Sequence, residues 1–167
     1  MTLDLRTHAA HLAQRVASTG ADVALPRIRY TRDDLEADVS IRGDLPGSGI
    51  PKSSQVDLRE RWVRPFRDQP WRLVEYTYEL LDQERDVRFA LHLHDPDWFV
   101  DNFRVVVHEH CESPIGTVRC RHYVGDPVAD AFDAVDRLLE VWTRDAPLDC
   151  AALTCLDRTR DRNRPAL

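Results

Sequence analysis

The spacing of apolar positions changes character along the chain. In the first part it is helical: Leu5, Leu12 and Val16, with Ala9 between them, share one stripe, and Ser18-Thr19-Gly20 supplies a stop. Residues 2–19 are therefore predicted as a helix. A second, shorter helix is predicted from Thr31 to about Val39, with Thr31 or Asp33 as its cap. Five of the thirteen residues 42–54 are Gly or Pro, which reads as a linker between a helical N-terminal segment and a sheet.

From Val56 onward the apolar positions alternate. Strands are predicted over Val56–Val63, Trp71–Leu81, Val87–His94, Phe103–Cys111 and Thr117–Tyr123. Turn chemistry separates them at Pro65–Pro70, Asp82–Asp86, Asp95-Pro96-Asp97 and Ser113-Pro114-Ile115-Gly116. Connections this short favour antiparallel neighbours, because parallel strands need long crossovers. Gly125-Asp126-Pro127 then opens a helix whose Val128, Phe132, Val135, Leu138, Leu139 and Trp142 fall on one face, suited to lying on the sheet.

The expected architecture is α+β: an antiparallel meander of four to five strands, a C-terminal helix packed on one face, and an N-terminal helical extension. Residues 1–41 form the helical segment, 42–54 the linker, 55–156 the sheet-plus-helix domain, and 157–167 a charged, flexible tail.

Alternation also sorts each strand into a buried and an open face. Phe89, Leu91 and Leu93 take the buried face of their strand, leaving His92 and His94 open. Phe103, Val105 and Val107 do the same in the next, leaving Arg104, His108 and His110. Val118 and Cys120 read as buried, with Arg119, Arg121 and Tyr123 outward; Val74, Tyr76, Tyr78 and Leu80 read as buried, with Glu75 outward. One surface thus collects four histidines, three arginines and Glu75, and a one-residue slip in register would scatter it.

Composition narrows what such a face can do. The 167-residue chain carries a net charge of −6, which does not suggest generic nucleic-acid binding, so any RNA contact must be a local basic patch. Lys52 is the only lysine among 23 basic residues. No run of apolar residues approaches a membrane span, and the stretch Met1–Arg6 lacks the basic start and apolar run of a signal peptide. A cytoplasmic location is expected, and with it reduced thiols at Cys111, Cys120, Cys150 and Cys155.

Histidine titrates close to neutrality, so one imidazole can accept a proton while another donates one. Arginines beside them suit bidentate contact with a phosphodiester. On this reading His108, His110, His122 and Glu75 are the acid/base candidates, with Arg104, Arg119, Arg121, His92 and His94 as substrate contacts. Neither metal nor cofactor is called for. Simple alternation gives His122 the buried parity of Val118 and Cys120, and only a bulge near the strand end would re-aim it.

A zinc site built from His108-Glu109-His110-Cys111 and Cys120-Arg121-His122 is the competing chemistry. The ligand types suit zinc, but neighbours in a strand point to opposite faces. The plain alternatives are a merely solvated sheet face and a non-enzymatic binding or protein-interaction module, the latter stabilised by zinc or using the sheet edge. His8 and His11 lie on the N-terminal helix, away from the cluster, and Tyr76 and Tyr78 read as core.

Residues from about Trp71 to Trp142 resemble the TumE-type toxins of prokaryotic toxin–antitoxin pairs. The resemblance rests on Phe89-Ala90-Leu91-His92-Leu93-His94, on Phe103-Arg104-Val105-Val106-Val107-His108-Glu109-His110, and on Arg119-Cys120-Arg121-His122-Tyr123 leading into the Asp126-Pro127 helix. Members of the family often carry Asp-Asn after an arginine in the penultimate strand, where this chain has Val105-Val106 after Arg104. The first 50 residues have no counterpart in that pattern. The resemblance implies a cytoplasmic growth-inhibiting protein acting on RNA or translation, neutralised by a helix-turn-helix antitoxin.

Overall fold

Asp4 opens the first element. Its carboxylate accepts from the amides of Arg6 and Thr7 at 3.2 and 3.3 Å, satisfying donors that a helix start otherwise leaves free. Helix α1 then runs Leu5–Ala17, and Leu5, Ala9, Leu12 and Val16 form its buried stripe. Full burial of each of the three larger side chains contributes about 1.5–3 kcal/mol. Gly20, at φ 84°, completes the turn out of the helix.

The computed structural model describes residues 4–47, 54–93, 107–112, 114–116, 118–123 and 131–143; for 107–111 and 118–123 it describes the backbone alone. Eight strands follow α1: β1 Asp22–Val23, β2 Arg27–Tyr30, β3 Glu36–Leu45, β4 Ser54–Val63, β5 Arg72–Asp82, β6 Val87–Leu93, β7 Val107–Glu112 and β8 Val118–Tyr123. Helix α2 spans Ala131–Thr143. All pairings are antiparallel, in the order β1-β3-β4-β5-β6-β7-β8, with β2 also pairing with β3. The fold class expected from the sequence is therefore present, an α+β antiparallel sheet with a helix near each end, but with more strands than the four or five anticipated.

The extra strands come from a segment that the sequence misrepresents. The helix expected from Thr31 to about Val39 is a turn followed by the first half of β3. Asp33 Oδ1 accepts from Thr31 Oγ1 at 2.7 Å and from the Leu35 amide at 3.3 Å, and Asp34 sits at φ 59°. These contacts build the β2–β3 reversal rather than a helix cap. Beyond it Ala37, Val39, Ile41, Gly43 and Leu45 are buried at every second position, while Asp38 and Arg42 are exposed. Residues read as linker likewise take part in the ladder: Arg42–Leu45 finish β3, Ser54 begins β4, and Leu45 pairs with Ser54.

Both helices lie on the same face of the sheet. Their apolar stripes meet Val39 and Ile41 of β3, Val56 and Leu58 of β4, Tyr78 and Leu80 of β5, and Phe89 and Leu91 of β6 in one core. Gly43 lets α1 approach: a Cβ there would stand 2.9 Å from Val16 Cγ1. Arg85, in the β5–β6 turn, donates to the Trp142 carbonyl at 2.8 Å and is held by Asp82 at 2.5 Å, tying the end of α2 to the sheet. The expected helix opening at Asp126-Pro127, the tail 157–167, Cys150 and Cys155 lie outside the described residues. Among the described residues no helix is long and apolar enough to cross a membrane.

Candidate functional site on the open sheet face

With both helices on one side, the other side of the sheet carries the polar parity of every strand. Antiparallel register sets its transverse rows. Thr77 pairs with His92, His92 with His108, and His108 with Tyr123. One row further along, Glu79 pairs with Ala90, Ala90 with His110, and His110 with Arg121. The third row is Leu81, Arg88 and Glu112.

These rows place the candidates predicted from sequence. His92 and His108 are brought to directly opposing positions, and so are His110 and Arg121. His122 pairs with Glu109, which alternates with His108 and His110, so the register does not set it in either of their rows. A bulge does occur in this ladder, but between Cys111 and Glu112, where Val118 and Cys120 take successive partners and Arg119 is the extra residue. Cys111 stands opposite Cys120. His94 and Arg104 lie outside the described residues.

Two candidates differ from expectation in their surroundings. His92, expected as an open substrate contact, is only 8 % exposed, and its neighbour Ala90 is fully buried. The face is therefore covered over β6 and accessible over β2 to β5. Thr77 Oγ1 lies 3.5 Å from His92 Nδ1, at the limit of a hydrogen bond. Glu75, expected as an acid/base group, takes Arg61 Nη1 at 3.5 Å, one row away from the Thr77–His92 pair.

Arg88 locks the register on which the rows depend. Its guanidinium donates to Glu79 of β5 and to Glu112 of β7, the latter at 2.5 Å, joining three strands. Burial works against its charge, but the hydrogen bonds and field of the two carboxylates outweigh it, and its pKa lies above the ordinary arginine range.

A second polar cluster, on the helix-covered face, has no counterpart among the candidates predicted from sequence. Glu60 shares the buried parity of Val56, Leu58 and Trp62 in β4 and is 4 % exposed. It accepts from Tyr78 OH at 2.6 Å and Trp62 Nε1 at 2.8 Å, while His8 Nε2 of α1 lies 2.9 Å away. The His8 ring meets Trp62 and Phe132 edge-on, with centroids 5.2 and 6.3 Å apart. A carboxylate at an apolar parity is the signal that could have found it, since such a group must find donors when buried. These contacts fasten α1 to β4 and β5 and leave the carboxylate no open approach, so the cluster reads as structural.

Among the described residues no three His, Cys, Asp or Glu side chains converge in a way that could hold a metal ion. Comparison with family models, with curated proteins and with solved structures returned no match.

Proposed function

We propose that this chain is a toxin-like protein of a toxin–antitoxin pair, acting on RNA in the cytoplasm through the His/Arg end of its open sheet face. The supporting observation is the double row in which His92 opposes His108 while His110 opposes Arg121. His108 and His110 stand two residues apart on one strand, about 7 Å, which suits groups acting on opposite sides of one phosphodiester.

In this reading one imidazole takes the proton of a ribose 2′-hydroxyl, whose oxygen attacks the adjacent phosphorus. The other imidazole, protonated, gives its proton to the departing 5′-oxygen. Arg121 beside His110 offsets charge gathering on the phosphoryl oxygens, with Arg104 and Arg119 as further phosphate contacts. Burial makes His92 a positioning residue toward His108 rather than a substrate contact. The sequence resemblance adds a helix-turn-helix antitoxin as the neutralising partner.

The test is induced expression of the chain in a bacterial host, compared with a His108→Ala/His110→Ala variant whose circular dichroism matches wild type. Growth arrest by wild type and none by the variant is expected; undiminished arrest by the variant ends the catalytic reading. The burial of His92 favours a second reading, a face that binds RNA without cleaving it. Stable binding of an oligoribonucleotide that stays intact, with no growth arrest, would select that one.

A further inference from the structure

The accessible part of the open face, over β2 to β5, holds a groove of about 380 Å³ whose lining includes Arg27, Arg29, Arg59 and Arg61 together with the carboxylates of Asp38 and Glu75. A smaller depression of about 260 Å³ adjoins it, shares Arg27, Ser40 and Arg59, and adds Arg42 and Asp57. In a chain of net charge −6 the two depressions gather five guanidinium groups, with Asp38, Asp57 and Glu75 among them.

Most of these cations are already engaged. Arg59 is held by Asp57 at 2.8 Å, Arg42 reaches the same carboxylate at 3.5 Å, and Arg61 is divided between Glu36 and Glu75 at 3.3 and 3.5 Å. Arg27 and Arg29 differ: both are exposed, and among the described residues neither has an ion pair. They alternate with Ile28, which is half-buried, so both lie on the groove side of β2, about 7 Å apart along the strand.

The register joins this groove to the histidines. Arg27 pairs with Ser40, Ser40 with Arg59, and Arg59 with Thr77, whose partner is His92. One transverse row thus leads from Arg27, past Ser40, Arg59 and Thr77, to the imidazoles, while Arg29 heads the neighbouring row of Asp38, Arg61 and Glu75. From β2 to β6 it covers four strand spacings, on the order of 19 Å.

We infer that the Arg27/Arg29 groove is a backbone-holding subsite for single-stranded RNA, binding phosphates several nucleotides away from the histidine row. The inference rests on the RNA-directed reading above and adds to it where the strand runs. An open trough with two cations at strand spacing suits an extended polyanion passing through, more than a compact ligand that needs enclosure. Ser40 and Thr77 supply neutral hydroxyls along the path.

Fluorescence anisotropy with a labelled, unstructured 15-nucleotide RNA and with a trinucleotide tests this on wild type and on Arg27→Ala/Arg29→Ala. Both side chains are exposed, so the variant should keep its fold, as circular dichroism would report. The 15-mer should bind roughly tenfold more weakly to the variant, and the salt dependence of its log affinity should fall by about 1.4, at about 0.7 per lost phosphate contact. Trinucleotide binding should be unchanged, and Arg27→Lys/Arg29→Lys should recover most of the 15-mer affinity. Equal affinity and equal salt slope for wild type and the alanine variant would overturn the subsite alone. No binding of the 15-mer by wild type would overturn the RNA-directed reading with it. Competition by a poly-glutamate peptide as effective as unlabelled RNA would overturn the assignment to phosphodiesters.

Discussion

His8 Nε2 lies 2.9 Å from the Glu60 carboxylate, with 10 % and 1 % of the two side chains exposed. This contact joins the N-terminal helix to the middle of the sheet across 52 residues of chain. The N-terminal segment is therefore part of the packed face, opposite the one that is accessible over β2 to β5. Tyr78 OH and Trp62 Nε1 complete the set of donors around the carboxylate.

Removing the carboxylate while leaving its donors should be costly. Glu60→Ala is expected to destabilise the protein by about 3–5 kcal/mol, the range for breaking one side of a buried polar pair. His8→Ala, which leaves Glu60 two other donors, should cost about 1–3 kcal/mol. Urea unfolding of both variants and of the double variant checks this. The double variant should lose less than the sum, because the two changes remove one shared interaction.

Gly43 is required by close approach. A methyl group there would meet Val16 Cγ1 at 2.9 Å and Val23 Cγ2 at 3.3 Å. Gly43→Ala should push α1 away from β3 and cost about 1–3 kcal/mol, as overpacking of a filled core does. Thermal unfolding measures the loss, and Val16→Ala in the same chain should recover part of it.

Acid should act on the start of α1. Asp4 has its pKa lowered by the hydrogen bond from Thr7 Oγ1 and then by the Arg6 amide. A carboxyl group with a depressed folded pKa stabilises above its unfolded value and loses that contribution as pH falls through the folded one. The stability difference between wild type and Asp4→Ala should therefore be constant near neutrality and shrink below about pH 4. Urea unfolding at stepped pH tests it; a difference that grows on acidification would have the wrong sign.

Much of this architecture is legible in the residues themselves, where one period runs long enough. The α1 stripe Leu5, Ala9, Leu12, Val16 and the alternations of β4 and β5 carry over into buried faces, whereas in β6 Phe89 to His92 are all buried. The segment from Asp22 to Leu45 is harder to read. β1 and β2 are two and four residues long, with Leu25-Pro26 between them, too short for a period to stand out. Thr31 and Asp33 look like a helix start because the same side-chain contacts cap helices and close turns. The period-two pattern Ala37, Val39, Ile41 overrules that local preference through burial.

The candidate site divides in the same way. That His92, His108, His110 and Arg121 share one parity of neighbouring strands is visible in sequence, whereas the register that sets His92 opposite His108 and His110 opposite Arg121 is not. Burial of His92 and the pairing of Glu75 with Arg61 across β4 and β5 depend on register and packing, which alternation does not encode. Arg27 and Arg29 belong to a strand too short to announce itself, although Arg27-Ile28-Arg29-Tyr30 does alternate.

The most direct measurement is an NMR titration of uniformly 15N-labelled protein with an unstructured single-stranded oligoribonucleotide. Amide shifts should concentrate at Arg27, Ser40, Arg59, Thr77, His92 and His108, successive positions of one row across the sheet. Perturbations confined to α1 and α2, or no perturbation at RNA concentrations well above that of the protein, would contradict a ligand track on the open face.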